Sequence, residues 1–182
     1  MIPAAVYFPR RRAALSKNPP IEVKTIMIGI TRLQDPEEKK KAARGILEAL
    51  PDWFGIEESR EEYISNSAGL PFFCAVDEEK GGMPVGFLCL METGNATVEL
   101  HVMGVMKEYH RGGIGRRLFE EAKNYAKQAG YSFFQVKTVQ MGKYEDYDRT
   151  NLFYQSVGFK EFEVFPTLWD EANPCQIYIM AL

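Results

Sequence analysis

Thr97-Val-Glu-Leu-His-Val-Met-Gly-Val-Met-Lys-Glu-Tyr-His-Arg-Gly-Gly-Ile-Gly-Arg-Arg-Leu118 reads as a strand, a glycine loop and the start of a helix in immediate succession. The strand part alternates. Val98, Leu100 and Val102 fall on one face, and Glu99, His101 and Met103 on the other. Gly104 stands late in the strand, where glycine marks a bulge or the close approach of another chain segment. The loop His110–Gly115 feeds a helix from Ile114 to Gly130 in which Ile114, Leu118, Ala122, Tyr125, Ala126 and Ala129 share one face. The first amides of a helix lack partners within it and carry the positive end of its dipole, so this turn forms a ready anion site. Gly112, Gly113 and Gly115 allow a ligand near the backbone, and Arg111 and Arg116 add positive charge. No Gly-Lys-Ser/Thr closes the loop as in a Walker A motif, and Gly-Gly-x-Gly is not the dinucleotide fingerprint. Taken alone, the segment reads equally well as a glycine-rich turn into a helix.

Upstream, Ile21–Ile30 has the β-branched content of a strand. Asp35 is placed as an N-cap before Pro36-Glu37-Glu38, opening a helix to about Leu50 that stops at Pro51. A turn at Asp52–Gly55 and a second helix over Ser59–Ser67 follow. Phe72–Val76 and Pro84–Met91 form a hairpin about Asp77–Gly82. The strand of the opening stretch begins at Asn95. Downstream, Tyr131–Val139 is a strand, Asp148–Val157 a short helix closed by Gly158, and Phe159–Phe165 and Gln176–Leu182 the last strands. The order β-α-α-β-β-β-α-β-α-β-β predicts an α+β fold. Its sheet is mixed but mostly antiparallel, with about seven strands flanked by about four helices.

Composition narrows the function. The chain is 46% hydrophobic and 26% charged, which excludes a disordered or fibrous protein. Lys and Arg total 22 against 25 Asp and Glu, so the net charge of −3 offers no footprint for nucleic acid or an anionic membrane. The longest apolar runs, such as Val85–Met91, fall far short of the roughly 20 residues of a membrane helix. Cys74, Cys89 and Cys175 are scattered through apolar runs and make neither a disulfide framework nor a metal site. Free thiols of this kind suit a reducing compartment, so a soluble, cytoplasmic protein is expected. Arg10-Arg11-Arg12 opens like an export signal, but no apolar stretch follows before Asn18-Pro19-Pro20. Residues 1–20 therefore read as a basic arm before a single domain at 21–182.

A second motif lies about forty residues beyond the glycine loop: Asn151-Leu-Phe-Tyr-Gln-Ser-Val-Gly-Phe159. With the first, it resembles the GNAT family of acyl-CoA-dependent N-acyltransferases. His110-Arg111-Gly112-Gly113-Ile114-Gly115 resembles the family's pyrophosphate motif Gln/Arg-x-x-Gly-x-Gly/Ala, with His110 in the place of Gln or Arg. Phe153-Tyr154 to Gly158-Phe159 resembles its Phe-Tyr-x-x-x-Gly-Phe signature. The resemblance runs from Ile21 to Leu182.

That resemblance implies acetyl transfer from acetyl-CoA, as co-substrate and without a metal, to a primary amine of a small molecule or peptide. The attack would be direct, in a ternary complex. The amides of 111–116 would hold the pyrophosphate and Met103 would pair with the pantetheine arm. The amide of Val105 or a neighbour, at the bulged end of the strand, would polarise the thioester. The family's usual asparagine several residues ahead of the Phe-Tyr pair is absent; Asn151 lies closer to the pair and would stand in for it as a cofactor contact. Tyr154 matches the tyrosine that protonates the leaving thiolate; the alternative is a hydrogen-bonded core tyrosine. Glu99 matches a general base, with His101 or a water relay competing for that role and an ion pair as the plain alternative. Trp53, Phe54, Tyr63 and Trp169 are candidate walls of the acceptor pocket, each also readable as core. Glu57, Glu58, Glu61 and Glu62 attract a cationic amine or form a solvated helix face. A homodimer is compatible with all of this. The competing functions are a non-catalytic acyl-CoA-binding or sensing module and a structural subunit.

Overall fold

The computed structural model describes residues 27–182. The basic arm at 1–20, and positions 21–26 of the expected first strand, lie outside them. The chain runs β1 (Ile28–Leu33), α1 (Pro36–Glu48), α2 (Pro51–Phe54), α3 (Glu57–Ser67), β2 (Phe72–Asp77), β3 (Met83–Gly94), β4 (Thr97–Val105), α4 (Ile114–Gln128), β5 (Phe133–Val139), α5 (Glu145–Ser156), β6 (Lys160–Phe165) and β7 (Cys175–Ala181). The strands form one seven-stranded sheet in the order β1-β2-β3-β4-β5-β7-β6. Every neighbouring pair is antiparallel except β4 and β5, which the crossover helix α4 makes parallel. No helix of the described residues is long and apolar enough to cross a membrane.

Local chemistry explains the helix boundaries. Asp35 accepts from the N–H groups of Glu37 and Glu38 at 3.0 and 2.9 Å, and Pro36 opens α1. The expected turn at Asp52–Gly55 winds into the single-turn helix α2, with Phe54 N–H donating to Leu50 O at 3.0 Å. It brings the α-helices among the described residues to five. α5 starts at Glu145, before the expected Asp148, with Glu145, Asp146 and Asp148 at the positive end of its dipole.

Two apolar layers cover the sheet. Leu88, Leu90, Val98, Leu100, Phe134 and Val136 pack with Leu118 and Phe119 of α4 and Tyr154 of α5. On the opposite face, Phe72, Cys74, Phe87 and Val102 pack with Ile46 and Leu47 of α1 and Ile64 of α3. The expected bulge at Gly104 is corrected here. Gly104 pairs in register with Phe87, whereas Cys89 pairs with Val102 and Leu90 with Leu100. The extra residue is therefore His101. One inserted residue reverses the period of two, so Val98 and Leu100 face α4 while Val102 faces α1, and Met103 returns to the α4 layer. The single face expected for Val98, Leu100 and Val102 does not persist past Leu100. Gly104 does mark a close approach: a Cβ there would lie 3.0 Å from Ile46 Cγ2 and 3.1 Å from Leu50 Cδ1.

Candidate active site

The parallel ladder between β4 and β5 is short, running from Thr97 opposite Phe133 to Leu100 opposite Val136. Beyond it β5 continues to Val139 in register with β7, and β4 continues to Val105 in register with β3. The two strands therefore part, with the His101 bulge at the fork. Met106 N–H donates to Val85 O at 2.9 Å, which makes Gly86–Val105 a non-hydrogen-bonded pair. Val105 and, by alternation, Met103 thus turn their backbone groups away from β3 and into the wedge. Val105 O meets His110 Nε2 at 2.7 Å. The N–H groups of Met103 and Val105 remain directed into the opening.

At one mouth of the wedge is the entrance to α4. Gly113 is its N-cap, at φ +76°, and no side chain caps the helix. Arg117 N–H donates to Gly113 O at 3.1 Å, so the amides of Ile114, Gly115 and Arg116 precede the first intrahelical bond. Arg111 is also left-handed, at φ 62°, and Arg111, Gly112 and Gly113 are exposed. The first turn has no acid but contains Arg116 and Arg117, like charges at the positive end of the dipole that an anion would relieve. Arg116 Nη2 donates to Ser156 O at 3.1 Å, tying α4 to the end of α5. A Cβ on Gly115 would lie 3.0 Å from Met103 Cε and 3.4 Å from the Phe153 ring. Loop, β4 and α5 therefore meet at that glycine.

α5 closes the opposite wall. Asn151 is fully buried, and its Nδ2 donates to Val139 O at 3.0 Å and to Tyr147 O at 2.7 Å. This fastens α5 to the end of β5; Asn151 Oδ1 is buried without a partner. Tyr154 follows one turn later, 7% exposed, with its ring against Phe153, Phe159 and Tyr178. Burial pushes its phenol well above the usual tyrosine range, with smaller contributions from Tyr63 and Tyr147. The group is protonated throughout the neutral range.

The α3 side carries the polar groups of β4. Glu99, 5% exposed, accepts on Oε2 from Lys137 Nζ at 2.7 Å and Gln135 Nε2 at 2.9 Å. The parallel register sets Glu99 beside Gln135, with Lys137 on the same face of β5. The His101 ring stands edge-on to Tyr63 at 5.2 Å, and its Nε2 is buried without a partner. Burial lowers the imidazole below the ordinary histidine value against the opposing pull of Glu99 and Glu62. Tyr63 meets Phe54 at 6.0 Å, Tyr147 donates to Trp53 O at 3.1 Å, and Trp53 lies 6.1 Å from the His110 ring. Trp169 is 46% exposed on the β6–β7 connection and makes no ring contact with these aromatics among the described residues. Gln135, Lys137 and Tyr147 are absent from the sequence-derived set. Two polar residues spaced by two in the apolar run Phe133–Val139 were the available signal for the first pair.

Residues 68–161, just over half of the chain, match the model of the acetyltransferase (GNAT) domain. No curated protein matches the sequence. Among solved structures, a GNAT-family protein from Desulfovibrio desulfuricans is 19% identical, covering 85% of this chain and 99% of its own at a TM-score of 0.70. The ribosomal-protein-S18-alanine N-acetyltransferase of Escherichia coli is 19% identical, with 85% and 94% coverage and a TM-score of 0.66. An aminoglycoside 6′-N-acetyltransferase complexed with coenzyme A is 19% identical, with 86% and 97% coverage and a TM-score of 0.65. At this identity the three share the fold.

Proposed function

The chain belongs to the GNAT acetyltransferase family, and from that premise we propose that it transfers the acetyl group of acetyl-CoA to a primary amine of a small molecule or peptide, by direct attack in a ternary complex. The observation that carries this reading is the β4–β5 wedge, with an uncapped helix N-terminus at its mouth and a buried, protonated phenol at its wall.

Acetyl-CoA supplies the acyl group and a thiolate leaving group. The amides of 111–116, with Arg111, hold its pyrophosphate, a role that the acid-free first turn and its two arginines suit. His110 takes part by fixing the loop to the end of β4. Met103 pairs with the pantetheine arm along the open edge of β4, and the Val105 N–H donates to the thioester oxygen as negative charge builds there. Asn151 acts by holding α5, and so Tyr154, against β5.

For the amine to attack, its ammonium form must lose a proton. Glu99 is engaged by Lys137 and Gln135, so it serves as a fixed negative charge, while neutral His101 offers Nε2 as acceptor, directly or through water. The imidazolium that forms is stabilised by Glu99. The amine nitrogen bonds to the carbonyl carbon and the carbon–sulfur bond breaks. Tyr154 gives its proton to the sulfur, and the second proton that the nitrogen sheds on becoming an amide returns to the Tyr154 oxygen through water. Trp53, Phe54 and Tyr63 wall the acceptor side.

The test is a panel of amines with acetyl-CoA, following release of free thiol, for wild type and Tyr154→Phe. The ring remains in the variant and only the proton donor is lost, so turnover should drop about 10²-fold with acceptor KM nearly unchanged. A variant at wild-type speed would sink the acid assignment. Tight acetyl-CoA binding with no amine accepted would favour a sensing module.

A further inference from the structure

Asp77, Lys80 and Tyr109 form a cluster that the chemistry above does not use. Asp77 ends β2 and is 2% exposed. Its Oδ1 accepts from the N–H groups of Glu79 and Lys80 at 3.1 and 3.3 Å, closing the turn to β3. Its Oδ2 accepts from the Tyr109 hydroxyl at 2.8 Å, and that hydroxyl accepts from Lys80 Nζ at 2.7 Å. Tyr109 is 5% exposed, and Lys80 lies over its ring at 5.0 Å. Packing alone does not need this arrangement. Phenylalanine at 109 and an apolar residue at 77 would fill the space without desolvating a carboxylate and a phenol. What the polar chain adds is a fixed distance and direction for Tyr109.

Tyr109 directly precedes the anion loop. A Cβ on Gly112 would lie 3.3 Å from Tyr109 O, so the loop folds back over that residue. On the other side His110 is bonded to Val105 O. Between these two pins and α4 the backbone adopts left-handed conformations at Arg111 and Gly113, a costly shape for arginine. A segment held in such a shape persists only if its surroundings enforce it.

We propose that the Asp77–Tyr109–Lys80 network is a latch that holds the loop in its anion-binding shape, making the three side chains positioning residues for the donor's pyrophosphate. The proposal rests on the loop being the acetyl-CoA site. The β2–β3 turn then sets donor affinity through Tyr109, without touching the ligand.

Tyr109→Phe keeps the ring and removes the hydroxyl that joins the other two. Two acetyl donors separate a latch from a general defect: acetyl-CoA, and S-acetylpantetheine, which lacks the pyrophosphate. Tyr109→Phe should raise the acetyl-CoA Kd in calorimetry, and its KM, about tenfold, the equivalent of roughly 1.4 kcal/mol. kcat, acceptor KM and kcat/KM for S-acetylpantetheine should stay near wild type, while the melting temperature falls with the hydrogen bond that Asp77 Oδ2 loses. Lys80→Met, at a half-exposed side chain, should move the acetyl-CoA Kd the same way by a smaller factor. Unchanged acetyl-CoA affinity in both folded variants would overturn the latch. So would an equal loss with both donors, or a lowered melting temperature with Kd intact. A wild type that binds no acetyl-CoA would overturn the reading of the site itself, and the latch with it.

Discussion

His101 is where one residue changes the site most. As the extra residue of the β4 bulge it stands beside Tyr63 on the α3 side, with Nε2 buried and unpartnered. A regular strand would instead leave Val102 in the α4 layer and put Met103 on the α3 side with His101. Because burial lowers the His101 pKa, the ring is neutral at pH 7 and able to accept a proton. If it takes the amine's proton, kcat/KM should fall as the pH drops through a value below the ordinary histidine value of about 6.5. His101→Asn should lower the plateau and remove that acid limb. An unchanged limb in the variant would assign the titration to another group. Glu99 shows what a sequence reading leaves open: its place opposite the apolar face was legible, while its engagement by Lys137 and Gln135 joins residues far apart in the chain.

Among the elements, α1 and α4 grip β4 from opposite faces. α1 was legible because its signals are local: the Asp35 cap, Pro36 with the acids after it, and the stop at Pro51. Its seating depends on Gly104, where a side chain would meet Ile46 and Leu50. Gly104→Val should push α1 from the sheet and lower stability by about 1–3 kcal/mol in urea unfolding, the usual range for overpacking. A variant as stable as wild type would show that the helix can shift without cost. α2 was not legible as a helix. Four residues carry no periodicity, and its position follows from contacts: Lys107 pairs with Asp52, and Tyr147 donates to Trp53 O.

At the scale of the molecule, the latch joins the β2–β3 turn to the loop after β4 and gives the fold a defined response to acid. The Tyr109 hydroxyl, then the Glu79 and Lys80 amides and the Lys80 charge, hold Asp77 below the usual carboxylate range in the folded state. A lowered folded-state pKa stabilises the fold in full above the unfolded value of about 3.9, and the contribution is lost as pH falls below it through the folded value. Stability measured by denaturant between pH 6 and 2 should decline less steeply at the acid end for Asp77→Asn than for wild type. Parallel acid limbs in the two proteins would remove Asp77 from the response.

The sequence alone determined the elements whose causes lie within a few residues of one another. These include the capped α1, the amphipathic α4, the glycine turn that leaves its amides free, and the short helix that carries Tyr154. The order of these elements was enough to expect a mixed, mostly antiparallel sheet. Tertiary structure decided the place where β4 and β5 part, the bulge at His101 rather than Gly104, and the partners of Glu99, Asn151 and Tyr109. The reason is physical. Caps and periodicity act through backbone neighbours and are written locally, whereas strand register and buried hydrogen bonds depend on which distant segments the folded sheet brings together.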